Sequence, residues 1–237
     1  SLEGFQKKVI DAVLGAARCN RSRLEPKSRG TIHRPASLKV AAKGPVIAIG
    51  ISAGGPATLH QLVPALPENL PPVIITQHMP AEFTGPFARR LNAQSPLTIK
   101  EAAENDVLQS GHVFIAPGSH HLTVRRRGSD VCIHLDDGPK VSGFRPSVDV
   151  MFESVAKVVG RDAIGLVMTG MGDDGADGIR ALKAAGARTL AQDQETSIVY
   201  GMPKAAAETG CVDRIVSLSD IPEVLVQLLH EAVPAGS

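Results

Sequence analysis

Tryptophan is absent, tyrosine occurs once, at Tyr200, and aromatic residues make up only 3% of the 237-residue chain. Single-stranded nucleic-acid platforms stack bases on interleaved aromatics, so that function fits poorly. No apolar run approaches the roughly 20 residues needed to span a bilayer. The longest, such as Val46–Ile51 and residues 71–76, have strand length. The first residues also lack the apolar core of a signal peptide. Cysteine is scarce: Cys19, Cys132 and Cys211 lie far apart with no CxxC, as expected for reduced thiols in a cytoplasmic protein. The eight histidines show no HxxxH or HExxH spacing, so no metal centre is expected.

What is present fits a folded domain, with 43% apolar and 21% charged residues. The net charge of +1 hides an asymmetry. Residues 1–45 carry ten Lys/Arg against three Asp/Glu, and the remainder carries 15 against 21. A basic arm on a mildly acidic body suits a solvated linker better than a nucleic-acid or lipid contact. Residues 2–17 have helical apolar spacing, and residues 18–43 have the Arg, Lys, Ser, Pro and Gly content of a linker. The expected division is therefore a helix plus basic linker over 1–43 and one domain over 44–237.

Within that domain, residues 45–50, 72–77 and 163–169 read as strands buried on both faces. Helical patterns follow over residues 57–66, 81–92, 147–159, 176–185, 203–209 and 221–232. Shorter strands fit residues 97–101, 112–116, 122–126, 131–135, 188–192 and 212–216, with a hairpin turn at Arg127-Gly128-Ser129. Strands alternating with helices imply an α/β fold. The expected architecture is a doubly wound, mostly parallel sheet flanked by helices, with an antiparallel hairpin in the middle section.

Open parallel sheets bind ligands at the carboxyl ends of their strands. The three buried strands are followed there by Ser52, by His78, and by Asp173 with Asp174. Gly50-x-Ser52-x-Gly54 has the form of a nucleophile elbow, although a serine opening a helix also fits an N-cap. His78 is placed to serve as general base. One of the two aspartates can orient that base while the other caps the helix beginning near Ala176. Gly170-x-Gly172-x-x-Gly175 also matches a dinucleotide fingerprint, with Asp193 at the expected distance. That alternative, a dinucleotide-binding oxidoreductase, would set Asp173 and Asp174 against a pyrophosphate. A binding module without catalysis is a third reading. Calcium binding by Asp173, Asp174 and Asp177 lacks the ligand alternation of an EF-hand. The order Ser, His, Asp differs from that of α/β-hydrolases, which would need His230 as base.

With residues 49–55 (IGISAGG), 77–80 (QHMP), 144–149 (FRPSVD), 166–175 (LVMTGMGDDG) and 201–204 (GMPK) in view, the sequence resembles the catalytic domain of the chemotaxis protein-glutamate methylesterases, CheB. The resemblance runs from about Pro45 to Ile221. It implies a hydrolase that removes methyl groups from glutamates on chemoreceptor cytoplasmic helices, releases methanol and deamidates receptor glutamines, with no cofactor. It assigns the nucleophile to Ser52, the base to His78 and the triad acid to Asp174, because Asp173 stands at the variable position of the motif. It suggests oxyanion donors at Ala53 and Met171 and a substrate contact at Arg145, whereas Arg89, Arg90 and Arg125–Arg127 fit ordinary surface charge as well. Family members carry a phosphorylatable receiver domain before the linker. No such domain is expected in this chain, and its activity would then not depend on phosphorylation.

Overall fold

A computed structural model describes Ile32, Pro35 and residues 45–231. The helix expected over 2–17, Cys19 and nearly all of the basic linker lie outside the described residues. Nine strands are present among the described residues: β1 (Val46–Ile51), β2 (Val73–Gln77), β3 (Thr98–Glu101), β4 (His112–Ile115), β5 (His121–Arg127), β6 (Asp130–Asp136), β7 (Ala163–Val167), β8 (Arg188–Gln192) and β9 (Arg214–Val216). The helices are α1 (Gly55–Leu62), α2 (Ala81–Asn92), α3 (Val148–Val158), α4 (Ala176–Ala184), α5 (Met202–Glu208) and α6 (Ile221–Glu231).

Seven strands form one sheet in the order β3-β4-β2-β1-β7-β8-β9, and every neighbouring pair is parallel. The mostly parallel, doubly wound α/β architecture read from the sequence is thus the observed one. The expected hairpin is β5–β6, a separate antiparallel pair. The link from β3 to β4 contains no helix. It runs along the hairpin instead, with Leu108 N–H donating to Val131 O and Ile133 N–H donating to Asp106 O.

The period of two along β1 sends alternate side chains to opposite faces. Ile47, Ile49 and Ile51 join a core with Leu59, Leu91, Leu225 and Leu229 from α1, α2 and α6. Val46 and Ala48 join a second core with Phe152, Ile179 and Met202 from α3, α4 and α5, together with Leu122 and Ile133 of the hairpin. Both faces are therefore covered, which accounts for the unbroken apolar character of β1, β2 and β7.

The chain leaves β1 toward β2 on one side, and the later strands build outward from β7 on the other. The strand order thus reverses between β1 and β7, the switch point outside whose carboxyl ends open α/β sheets form their ligand cleft. A Cβ on Gly50 would stand 2.2 Å from Val148 Cγ1, so only glycine lets the start of α3 press against β1 two residues before Ser52.

Candidate active site

Ser52 leaves β1 in a turn fixed from both sides. Its N–H donates to Thr169 O beyond β7, and its C=O accepts from Gly55 N–H. The N-cap of α1 is Gly54, in the left-handed conformation with φ of 82°. The alternative of Ser52 as helix cap is therefore not what the structure shows, and its hydroxyl points to the cleft instead. There it lies 3.1 Å from His78 Nδ1. On the other side of the ring, His78 Nε2 is 2.7 Å from Asp174 Oδ2. The structure thus brings Ser52, His78 and Asp174 into one hydrogen-bonded chain.

An ionised carboxylate can only accept, so in the neutral imidazole this contact assigns the ring proton to Nε2 and leaves Nδ1 as the acceptor facing Ser52. The two ring nitrogens have exchanged the roles they take in the familiar protease triad. Phe144 stacks on the imidazole, with centroids 3.9 Å apart and planes inclined by 7°. The stack and the two hydrogen bonds leave the His78 side chain only 7% exposed.

Asp174 is held by the start of α3. Oδ1 accepts from Ser147 Oγ at 2.8 Å and from Asp149 N–H at 3.0 Å, and Oδ2 accepts from Val148 N–H at 2.8 Å as well as from His78. Ser147 is the N-cap of α3, so the triad carboxylate occupies the positive end of a helix dipole. Burial alone would raise its pKa. The His78 contact and the Asp149 and Val148 N–H groups outweigh burial and hold it below the ordinary carboxylate value.

Asp149 shows the opposite shift. Its Oδ1 accepts from Gly175 N–H at 2.9 Å and Gly178 N–H at 2.7 Å, capping α4 from the neighbouring helix. The expectation that one of Asp173 and Asp174 caps this helix is corrected here. Neither side chain does so: the N-cap Gly175 has no side chain to offer, Asp173 is exposed, and Asp174 faces α3. Burial pushes the Asp149 carboxyl up to about 7, opposed by the Gly178 N–H and reinforced by the adjacent Asp174 charge. A buried acid with a raised folded-state pKa costs stability once ionised, and that cost grows from the ordinary carboxylate range up to about pH 7. Asp149→Asn keeps the acceptor for both N–H groups and removes the charge. Its Tm is therefore expected to exceed that of the parent by on the order of 5 °C at pH 8, with the gain vanishing toward pH 4, as read by circular dichroism.

The residues that follow Ser52 and Gly170 offer two candidate oxyanion donors, Ala53 and Met171 N–H. Ser52 N–H is spent on Thr169 O, whereas Ala53 and Met171 N–H make no hydrogen bond among the described residues. The turn before Met171 is fixed because Gly170 O accepts from Gly201 and Met202 N–H. Thr169 Oγ1 donates to Ala53 O at 2.8 Å. Both candidate oxyanion donors are thus carried on pinned backbone, as such donors must be to act without reorganising.

Arg145 directs Nη1 to Asp137 O and Gly138 O at 2.8 and 3.0 Å. It ties down the loop that presents Phe144. Arg89 and Arg90 are exposed at the end of α2, and Arg125 pairs with Glu104. The dinucleotide alternative meets a physical obstacle, since the α4 amides at Gly175 and Gly178 already bind Asp149. Among the described residues no three His, Cys, Asp or Glu side chains are grouped to hold a metal ion, and no helix is long and apolar enough to cross a membrane.

Sequence reasoning missed Asp149, Ser147, Phe144 and Gln77 as contributors. All four lie inside the QHMP and FRPSVD motifs, but only Ser147 carries a local signal, that of a helix cap.

Comparison with known proteins gives consistent matches. A family model described as CheB methylesterase matches residues 47–225. A protein-glutamate methylesterase/protein-glutamine glutaminase of Geobacter metallireducens is 40% identical, over 96% of this chain and 67% of that protein. One of Sulfurimonas denitrificans is 44% identical, over 94% and 62%. The crystal structure of the Thermotoga maritima CheB methylesterase catalytic domain superposes with a TM-score of 0.77 at 39% identity, over 78% of this chain and 99% of that one. The chain spans between about half and two-thirds of the length of the curated relatives it matches.

Proposed function

Because the chain belongs to the CheB methylesterase family, we propose that this domain is a serine hydrolase acting on glutamate methyl esters of chemoreceptors. It releases methanol, and by the same chemistry it deamidates receptor glutamines with release of ammonia. The observation that carries the reading is the chain of contacts from Ser52 Oγ through His78 to the buried Asp174 carboxylate.

In the first half-reaction Ser52 Oγ attacks the ester carbonyl while its proton passes to His78 Nδ1. A free hydroxyl is a weak nucleophile, and the adjacent base supplies the missing reactivity. Ala53 and Met171 N–H receive the tetrahedral oxyanion, where losing one such donor costs about 10²–10³ in rate. His78 returns the proton to the departing methoxide, leaving a glutamyl ester on Ser52. In the second half-reaction a water gives its proton to Nδ1 as it attacks the acyl carbonyl; the bond to Ser52 Oγ breaks, His78 returns the proton to Oγ, and the glutamate is freed. Asp174 stays ionised throughout, keeps the Nε2 proton in place and stabilises the imidazolium formed twice per cycle. An amide is the poorer leaving group, so deamidation is the slower reaction.

On this reading the substrate segments are the cytoplasmic helices of methylated receptors, and the domain acts in the cytoplasm. The test is methanol release from methylated receptor membranes by the purified chain, run with and without a metal chelator and without nicotinamide cofactor. Release in all these conditions is expected. No release from several receptor preparations would count against the reading.

A further inference from the structure

We propose that Gln77 is a positioning residue for this reaction: its side-chain amide ties the main chain of Ser52 to that of His78 and so sets the distance from nucleophile to base. The inference rests on the serine-hydrolase reading above.

β1 and β2 run side by side as far as the Ile51–Gln77 pair, and the last backbone bond between them is His78 N–H to Ile51 O at 3.2 Å. Beyond it the strands diverge, one into the turn at Ser52 and the other toward Pro80. At this point Gln77 Nε2 donates to Ser52 O and to His78 O, each at 3.0 Å. One NH₂ group thus spends both hydrogens on the carbonyls of the two residues whose side chains meet in the cleft. It continues the cross-link between the strands where the backbone ladder has stopped.

The other end of the amide shows what this arrangement costs. Gln77 is 2% exposed, and its Oε1 is the one buried side-chain polar atom without a hydrogen-bond partner among the described residues. Buried acceptors are nearly always paired, and leaving one unpaired lowers stability. Turning the amide over gives no relief, because Oε1 would then face two carbonyl oxygens. The space for Oε1 is also made to measure: a Cβ on Gly55 would stand 1.8 Å from it. A side chain serving only to fill the core would be better replaced by leucine. The retained amide points to the geometry it enforces.

The consequence is a rate effect, since a reacting group displaced by on the order of 1 Å costs about 10²-fold. Two variants test it. Gln77→Leu removes the tie, and Gly55→Ala displaces the amide while leaving its chemistry intact. Circular dichroism confirms that each is folded. Both are expected to lower kcat for methanol release about 10–100-fold with KM unchanged. The ¹⁵N signal of His78 Nδ1 is expected to move toward its position in Ser52→Ala, where the contact to Oγ is lost. Folded variants with the parent kcat and the parent Nδ1 signal, or with a raised KM alone, would overturn the proposal. If the parent chain itself releases no methanol, the esterase reading fails, and the Nδ1 signal by itself decides the role of Gln77.

Discussion

Ser52→Ala is expected to reduce methanol release by on the order of 10⁴–10⁶-fold while leaving the domain folded. The structure explains why the two effects separate. Among the described residues, the Ser52 side chain hydrogen-bonds only to His78 Nδ1. The turn itself is held by main-chain bonds from Ser52 N–H to Thr169 O and from Gly55 N–H to Ser52 O, with the Gln77 amide added. Alanine keeps all three. His78 remains between Phe144 and Asp174, and the candidate oxyanion donors stay where they are. What disappears is the atom that forms the acyl ester. Residual release should reflect binding and oxyanion contacts alone. Melting curves of parent and variant should differ by only a few degrees, because the truncation of this half-buried side chain removes one hydrogen bond, to His78 Nδ1, and spares the main-chain bonds of the turn. Equal methanol release by parent and variant would remove Ser52 from the mechanism, and the proposed acyl-enzyme with it.

The extent to which the sequence disclosed this site follows from what is local and what is not. α2 and β8 have the bounds that periodicity alone suggested, Ala81–Asn92 and Arg188–Gln192. α1 ends earlier than its apolar spacing implied. Pro64 lacks the N–H that an α-helical turn needs, and the chain tightens into a 3₁₀ turn at Val63–Ala65. β9 starts at Arg214 rather than 212: Cys211 O accepts from Thr189 Oγ1, and Asp213, whose N–H donates to Thr189 O, turns its carboxylate back to accept from Thr189 N–H. Ser52, His78 and Asp174 were visible because each follows a buried strand, and parallel topology delivers such residues to one edge. Asp149 was not visible in its role. Capping signals are sought within a few residues of the helix they serve, whereas Asp149 caps α4 from the first turn of α3. Gln77 was hidden for a similar reason: its two acceptors become neighbours only once β1 and β2 are in register. Phe144 depends on the course of a loop pinned by Arg145, which no periodicity describes.

Asp174→Asn is expected to lower kcat by about 10³–10⁴-fold and to destabilise the domain, for reasons that the four donors around this side chain make explicit. Ser147 Oγ and Asp149 N–H meet one oxygen, and Val148 N–H and His78 Nε2 meet the other. A carboxylate accepts all four. An asparagine offers one oxygen and one NH₂. With the oxygen toward His78, the NH₂ opposes Asp149 N–H. With the oxygen toward Ser147, it opposes Val148 N–H and faces the imidazole as a donor, which draws the ring proton to Nδ1 and leaves no base for Ser52. Either orientation sets donor against donor in a buried site, a loss of roughly 1–3 kcal/mol. Either also removes the negative charge that stabilises the imidazolium. The pH dependence separates these losses. The folded-state pKa of Asp174 lies below its ordinary value, so its contribution to stability is complete above the ordinary carboxylate range and is lost as pH falls through the depressed value. The Tm gap between parent and Asn variant should therefore be widest at neutral pH and close in acid, whereas the kcat deficit at neutral pH should remain at temperatures well below either Tm. A variant with unchanged kcat, or a Tm gap that widens in acid, would show that the carboxylate does not act on His78 as its position suggests.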